Sequence, residues 1–361
     1  MTDHMKGFTI FIAALTIDLY EGGEGYNLSI IYVCTQGSEL HLKDNQFIVL
    51  KQDQCLVSYP IEPVEQIELF GNIAVTTPVI NLCMKKGIII AFYSHRGFYN
   101  GRFEPLSSKN TLRHKMQVRT SDNDSFCVTL TQNIISAKIH NQMVLLRRYF
   151  RSEDIHDREK LQKMTWLQKK AANGASIEKI RGYEGTAAGI YFNTLGSLVK
   201  EDFRFSKRTR RPPTDAANCL LSFGYTILLN EIIGKLSERG LNPNVGVLHS
   251  DYHNRPSLAC DLIEEWRPVI VDPVVMSMIN GNELRSEDFY QKKGSPAVYM
   301  TDPGRRRFIE KLEMRMMTEM KYLKSMNKEV TFRHAIAIQV SKFIKAIENQ
   351  NADYYEPVMI R

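Results

Sequence analysis

The chain is poor in several features that would place it in familiar classes. Its six cysteines (Cys34, Cys55, Cys83, Cys127, Cys219 and Cys260) are scattered over 361 residues, and no two form a Cys-x-x-Cys pair. Neither a zinc ribbon nor a disulfide framework is indicated, and a reducing, cytoplasmic compartment is expected. No Gly-x-x-x-x-Gly-Lys-[Ser/Thr] loop and no Gly-x-Gly-x-x-Gly fingerprint occurs, so no nucleotide cofactor is expected. A long apolar run is also missing from the start. Phe8 to Leu15 lies behind Lys6, but Asp18, Glu21 and Glu24 follow at once. No small-x-small cleavage site precedes these acids, and the run is far short of the roughly 20 apolar residues of a membrane span. Residues 1–28 read as an extension, a strand or short helix packed on the next domain, with no membrane contact expected.

What is present is ordinary globular material, with 43% hydrophobic and 24% charged residues, enough for two domains. The formal net charge of +7 and pI near 8.9 favour an anionic partner such as nucleic acid without identifying one.

The pattern changes along the chain. From Leu28 to about Phe103, short β-rich runs alternate with turn chemistry: Ser29–Cys34, Glu39–Leu42, Gln46–Lys51, Gln54–Ser58, Gln66–Leu69 and Ile88–Tyr93. Gln36-Gly37-Ser38 and Lys43-Asp44-Asn45 are placed as hairpin turns would be, and Pro60 to Pro63 breaks the meander. A helix is expected over Val79–Lys86. Residues 105–110, with Pro105, Ser107 and Ser108, read as a linker, and helices dominate thereafter. The expected fold class is α+β, with a small β domain over 29–104 and a larger all-α domain over 111–361. In the latter, Thr129–Phe150 is a helix with Lys138, His140, Arg147, Arg148 and Arg151 on a basic side, a pattern that usually means only a solvated face.

Two stretches carry candidate chemistry. Asn254 and Pro256 read as the cap and first turn of a short helix that Pro268 would stop. On it Leu258, Leu262 and Trp266 form a core row, while Asp261, Glu264 and Glu265 lie to one side, with His249 just upstream. Carboxylates and an imidazole would thus share one cleft. The second stretch, Arg181 to Phe192, sets Glu184 among Gly182, Gly185 and Gly189. Interior glycines each lower helix propensity by about 1 kcal/mol, so their presence implies a smooth face for the close approach of another backbone or a phosphate chain.

Basic residues recur at Lys160, Lys163, Lys169 and Lys170, and again at Arg305-Arg306-Arg307. The most informative cluster is Lys207-Arg208-Thr209-Arg210-Arg211, a loop flanked by proline and by Phe203 and Phe205, which suits a phosphate backbone. Lys207, Arg208, Arg210 and Arg211 are the expected DNA contacts. Asp215 to Glu231 reads as a buried helix with Asn218 facing the cleft.

Three blocks in order, Glu184 to Ala188, Arg211 to Tyr225 and His249 to Pro268, resemble the CRISPR-associated integrases that insert spacers, the Cas1 family. The likeness extends over nearly the whole chain from about Ile30. It implies a metal-dependent DNA endonuclease and integrase that inserts protospacer DNA into the repeat array by 3′-hydroxyl attack on a phosphodiester. It also implies that Glu184, His249 and Glu264 are metal ligands, with Asp261 the adjacent acid in the site. Two carboxylates and an imidazole favour Mg²⁺ or Mn²⁺ over a closed zinc site. By the same resemblance the β domain serves dimerisation, and the homodimer works with a small second protein, Cas2. The competing readings are a non-enzymatic helical nucleic-acid binder and a metal hydrolase acting on small phosphoesters in a closed pocket.

Overall fold

A computed structural model describes residues 11–13, 29–95, 99–103, 111–150, 155–249, 255–320 and 329–360. The chain forms a mixed α+β structure divided into two compact units, Met1–Ser108 and Lys109–Arg361. Asn254 and the segment 105–110 lie outside the described residues.

The first unit is built from two sheets and one helix. One sheet orders β1 (Phe11–Ala13), β2 (Ser29–Val33), β6 (Val64–Phe70), β8 (Ile89–Tyr93) and β9 (Tyr99–Phe103) side by side. The other orders β5 (Gln54–Pro60), β4 (Gln46–Lys51), β3 (Ser38–Lys43) and β7 (Ile73–Val75). Asp44 and Asn45 turn β3 into β4 with φ of 48° and 59°, and Gln52 and Asp53 turn β4 into β5 with φ of 49° and 61°. Two consecutive left-handed residues match the strand twist of a tight hairpin, which is why Asp and Asn serve there.

Gln36-Gly37-Ser38 is not a hairpin. β2 pairs in parallel with β6, whereas β3 pairs in parallel with β7, so this turn passes from one sheet to the other. Its geometry is held by long-range bonds that no local pattern announces. Gln36 Nε2 donates to the Phe70 carbonyl at 2.7 Å, and Gly37 N–H donates to the Asn72 carbonyl at 2.9 Å. Helix α1 (Thr77–Lys86), with proline in its first turn, adds Val79 and Cys83 to a core with Ile31, Val33, Leu40, Phe47, Ile67 and Ile90.

The second unit is helical: α2 (Thr111–Ser121), α3 (Asp124–Tyr149), α4 (Ile155–Ala172), α5 (Ile177–Leu198), α6 (Ala216–Glu238), α7 (Ser257–Asn280), α8 (Asp302–Met316) and α9 (Phe332–Glu348). Asn123, Ser176 and Asp215 cap α3, α5 and α6 by accepting a backbone N–H three residues on. α3 lies at the centre, packed on α4, α5 and α7. α6 is long and apolar enough to cross a membrane, yet 78% of its most apolar window is buried against neighbouring helices.

Pro268 does not stop α7. The helix continues through Pro268 and Pro273 to Asn280, because Val269, Ile270, Val271, Val275, Met276 and Ile279 are all buried. An interior proline costs about 3 kcal/mol and leaves the carbonyl four residues earlier without its helical donor. For Pro273 that carbonyl belongs to Val269, and Arg315 Nη2 donates to it at 2.8 Å.

Candidate functional site

Leu258, Leu262 and Trp266 bury the core row of α7, as its periodicity requires, and this fixes where the acids on the same helix point. Glu264 emerges beside α3 and α5. Its Oε2 lies 2.5 Å from Lys138 Nζ on α3, and its Oε1 lies 2.8 Å from Arg267 one turn further along α7. Glu184 on α5 reaches the same ammonium through Oε1. Two carboxylates from different helices therefore converge on one buried cation.

The electrostatics follow from this geometry. Burial by itself would raise the Glu264 pKa, but Arg267, Lys138 and His249 outweigh it and hold the carboxyl down at about 2. Burial would lower the Lys138 pKa, and the facing carboxylates of Glu184 and Glu264 reverse that, so the amine stays protonated. Lys138 is therefore no part of a solvated face. The available signal was its position in a helical stripe with Ile134, Asn141, Gln142 and Leu145, all of which are buried. Arg267 is a second cation of this cluster that the sequence pattern does not mark.

Asp261 is fully buried and turned away from the two glutamates. Its Oδ2 accepts the N–H groups of Val247 and Leu248 at 2.7 and 3.0 Å, and its Oδ1 accepts that of His249 at 3.0 Å. His249 Nδ1 stands 2.6 Å from the same Oδ1. A carboxylate so supplied with donors can only accept, so Nδ1 donates to it and Nε2 is the ring nitrogen left for another partner. Asp261 is a positioning residue for His249. Glu265 points elsewhere again: Tyr355 Oη donates to it at 2.5 Å and Val358 N–H at 2.9 Å, tying the C-terminal segment to α7. Burial pushes its carboxyl up to about 7.

Among the described residues, no three His, Cys, Asp or Glu side chains stand together in metal-binding geometry. Glu184 and Glu264 meet through the Lys138 ammonium, with His249 a near neighbour of Glu264.

The basic loop divides. Lys207, Arg210 and Arg211 are exposed. Arg208 is turned inward, where Nη1 donates to Asn218 Oδ1 at 2.7 Å, Nη2 donates to Ser222 Oγ at 2.9 Å, and the guanidinium lies 5.4 Å from the Tyr225 ring. A side chain held this way anchors the loop and does not reach outward for phosphate. Asn218, expected to face the cleft, is fully buried and accepts from Thr209 N–H while donating to the Lys207 carbonyl. Phe203 packs edge-on against Phe289 and is buried. Arg305, Arg306 and Arg307 each pair with an acid of this chain: Asp302, Glu310 and Asp288.

The glycine face of α5 packs on nothing within the described chain. A Cβ added at Gly182, Gly185 or Gly189 meets no atom within 4 Å. Close backbone approach occurs instead at Gly196, where a Cβ would fall 1.8 Å from the Phe205 carbonyl oxygen. That contact brings the start of the basic loop against α5.

Comparison with known proteins gives this arrangement a family. The family model described as CRISPR associated protein Cas1 matches residues 31–314. A CRISPR-associated endonuclease Cas1 from Mycobacterium tuberculosis is 32% identical over 320 residues, covering 88% of this chain and 94% of its own. A solved CAS1 protein from Thermotoga maritima superposes with a TM-score of 0.75 at 25% identity, over 88% of this chain and 96% of that one. A chain of a partial Cas6-RT-Cas1–Cas2 complex superposes at 0.63 with 25% identity, over 91% of this chain and 97% of that one. With a match over most of its length, the chain belongs to the Cas1 family of CRISPR-associated endonucleases.

Proposed function

We propose that this endonuclease is divalent-metal-dependent and acts as the integrase of CRISPR adaptation, joining the 3′-hydroxyl of incoming DNA to a phosphodiester of the repeat array. The observation that carries the reading is the convergence of Glu184 and Glu264, from separate helices, on one compact cation beside an imidazole with its Nδ1 already engaged. A plain nucleic-acid binder has no use for two acids held face to face in this way.

The donor set fits a hard divalent cation: carboxylate oxygens of Glu184 and Glu264 and Nε2 of His249 would hold Mg²⁺ or Mn²⁺ in place of the Lys138 ammonium. Bound there, the ion supplies charge neutralisation at the phosphate and a lowered barrier for the attacking hydroxyl. The residues of the chain do the rest. Asp261 holds the His249 ring through Nδ1, which leaves Nε2 as the nitrogen that would meet the ion. Arg267 holds Glu264 ionised and in place. In the reaction an O–P bond forms from the incoming 3′-oxygen as the 3′-oxygen–P bond of the repeat breaks, and the proton passes from one hydroxyl to the other through solvent. One phosphodiester replaces another, so no nucleotide is consumed.

Lys207, Arg210 and Arg211, exposed on the loop that Arg208 anchors, would contact the DNA backbone. Likeness to a chain solved in a Cas1–Cas2 assembly supports a small Cas2 protein as partner, and a homodimer is proposed with it.

The test is a strand-transfer assay with fluorescent DNA, the Cas2 partner and Mg²⁺ or Mn²⁺. Glu184→Ala, His249→Ala and Glu264→Ala should each lower the rate about 10³-fold or more while DNA binding survives, since loss of a ligand removes several kcal/mol of charge stabilisation. Wild-type rates in any of the three would sink the assignment.

A further inference from the structure

Trp166 is conspicuous for its exposure. The chain holds two tryptophans. Trp266 is 1% exposed in the core, whereas Trp166, on α4, is 53% exposed. A bare indole costs solubility, and this one is placed with care. The Tyr183 ring from α5 meets it edge-on with centroids 6.4 Å apart, and Lys170, one turn along α4, holds its ammonium 5.5 Å from the ring centroid.

Along α4, the charge around the indole is of one sign. No Asp or Glu occurs between Glu159 and Glu178, while Lys163, Lys169 and Lys170 in that interval are exposed. Tyr183 is also the residue immediately before Glu184 and so lies about 100° from it around α5. On the solvent side of α5, a Cβ added at Gly182, Gly185 or Gly189 would meet nothing.

We propose that Trp166 and Tyr183 form a stacking shelf for unpaired DNA bases, with Lys170 moving from the indole to the adjoining phosphate, beside the Glu184 site. The inference rests on the reading of that site as one that acts on DNA, and deepens it by naming where a single strand is held. Base–aromatic stacking tolerates any sequence because every base has a π face. It is stronger than a lysine ammonium over an exposed ring, so a base displaces Lys170 and frees its charge for the backbone. A duplex offers no unpaired face and leaves the shelf empty.

The tryptophans supply the probe. With full-length protein in the absence of divalent metal, oligodeoxythymidylate should quench the emission of Trp166 saturably, and blunt duplex of equal length should not. Trp166→Phe should remove the quench. Trp166→Ala should weaken binding of the labelled single strand by about 5- to 150-fold and that of the duplex by less than twofold. Lys170→Ala should lower the slope of log K against log salt for the single strand by about 0.7.

Unchanged single-strand affinity in Trp166→Ala would overturn the shelf, as would equal losses for single strand and duplex. A shift in oligomeric state on that substitution would mark a protein interface and overturn it too. The two readings fail separately. Metal-dependent strand transfer with no effect at Trp166 removes only the shelf, whereas Trp166-dependent quenching without strand transfer removes only the integrase.

Discussion

Two places in the helical unit hold one cation between two carboxylates, and they do so differently. Arg333 on α9 sits between Glu231 and Glu313, all three side chains 3–4% exposed. Its Nε donates to Glu231 Oε1 at 2.7 Å, and Nη2 donates to both oxygens of Glu313 at 2.9 and 2.8 Å. Lys138 sits between Glu184 and Glu264, and there the Glu184 side chain is 25% exposed. At the Lys138 site Arg267 adds a second cation on Glu264. A guanidinium fork fits its acids directionally and admits no substitute, whereas an ammonium is a compact point charge that another compact cation can replace. One arrangement is a clamp between α6, α8 and α9. The other is a pair of acids kept facing each other by a compact ammonium.

The comparison breaks most sharply on replacing each cation's partner or the cation itself. Glu264→Ala should abolish strand transfer yet leave the fold, since α7 is held by Leu258, Leu262 and Trp266. Arg333→Met should do the reverse. It removes the counter-charge that Arg333 gives to buried Glu231 and Glu313, a loss of about 3–5 kcal/mol. Thermal melting reads this as a drop on the order of ten degrees for a unit of this size. Equal melting losses in the two variants would erase the distinction between site and clamp.

Much of this site was legible beforehand, and what was not has physical reasons. The row Leu258, Leu262, Trp266 fixes which way α7 faces, so Glu264 could be placed from periodicity alone. The strand runs of the first unit alternate visibly, and Asp44-Asn45 announces its own turn. Lys138 was missed because a lysine in a helical stripe looks the same whether water or two carboxylates lie opposite. Arg208 was grouped with Lys207, Arg210 and Arg211 because adjacent arginines in a loop carry no mark of which one turns inward to Asn218. Pro268 was read as a stop because the stop signal is local, while the burial of Val269 to Ile279 that overrides it is tertiary. The Gln36-Gly37 turn failed likewise, since its partners Phe70 and Asn72 are some 35 residues away.

Two milder substitutions sharpen the contrast at the Lys138 site. Asp261→Asn keeps the volume but brings an amide among the N–H groups of Val247, Leu248 and His249, and it no longer demands a proton on His249 Nδ1. Metal affinity and strand transfer should fall about 10- to 100-fold. The ¹⁵N shifts of the His249 ring should show the proton moving toward Nε2, a change that a merely structural role would not produce. Lys138→Met removes the ion that a metal must displace. Mn²⁺ should then bind about tenfold more tightly or better, read as a larger rise in melting temperature per added metal than in the wild type. An equal response in both proteins would mean the ammonium does not compete.

The smallest effect concerns a buried acid that has no cation within hydrogen-bond reach. Asp272 on α7 accepts the hydroxyls of Tyr191 and Tyr225, both at 2.5 Å. Burial raises its pKa, the two hydroxyls and the more distant Arg267 and Arg208 only partly oppose this, and the carboxyl reaches about 6 from an ordinary 3.8. The folded state therefore binds this proton more tightly than the unfolded chain. Its contribution to stability is full below about pH 3.8 and is lost as the pH rises through about 6. Glu264 has the opposite sign: held at about 2, it stabilises above its ordinary 4.5 and fails only as the pH falls toward 2. Thermal melts of the wild type between pH 7 and pH 2 should thus include, above about pH 4, a gain from Asp272 on the order of 1 kcal/mol per pH unit at its steepest. Asp272→Asn should lack that gain while keeping the acid-side loss that belongs to Glu264. If the two profiles run parallel, the tyrosine hydroxyls hold Asp272 ionised as firmly as Lys138 and Arg267 hold Glu264, and a full cation is not what separates the two acids.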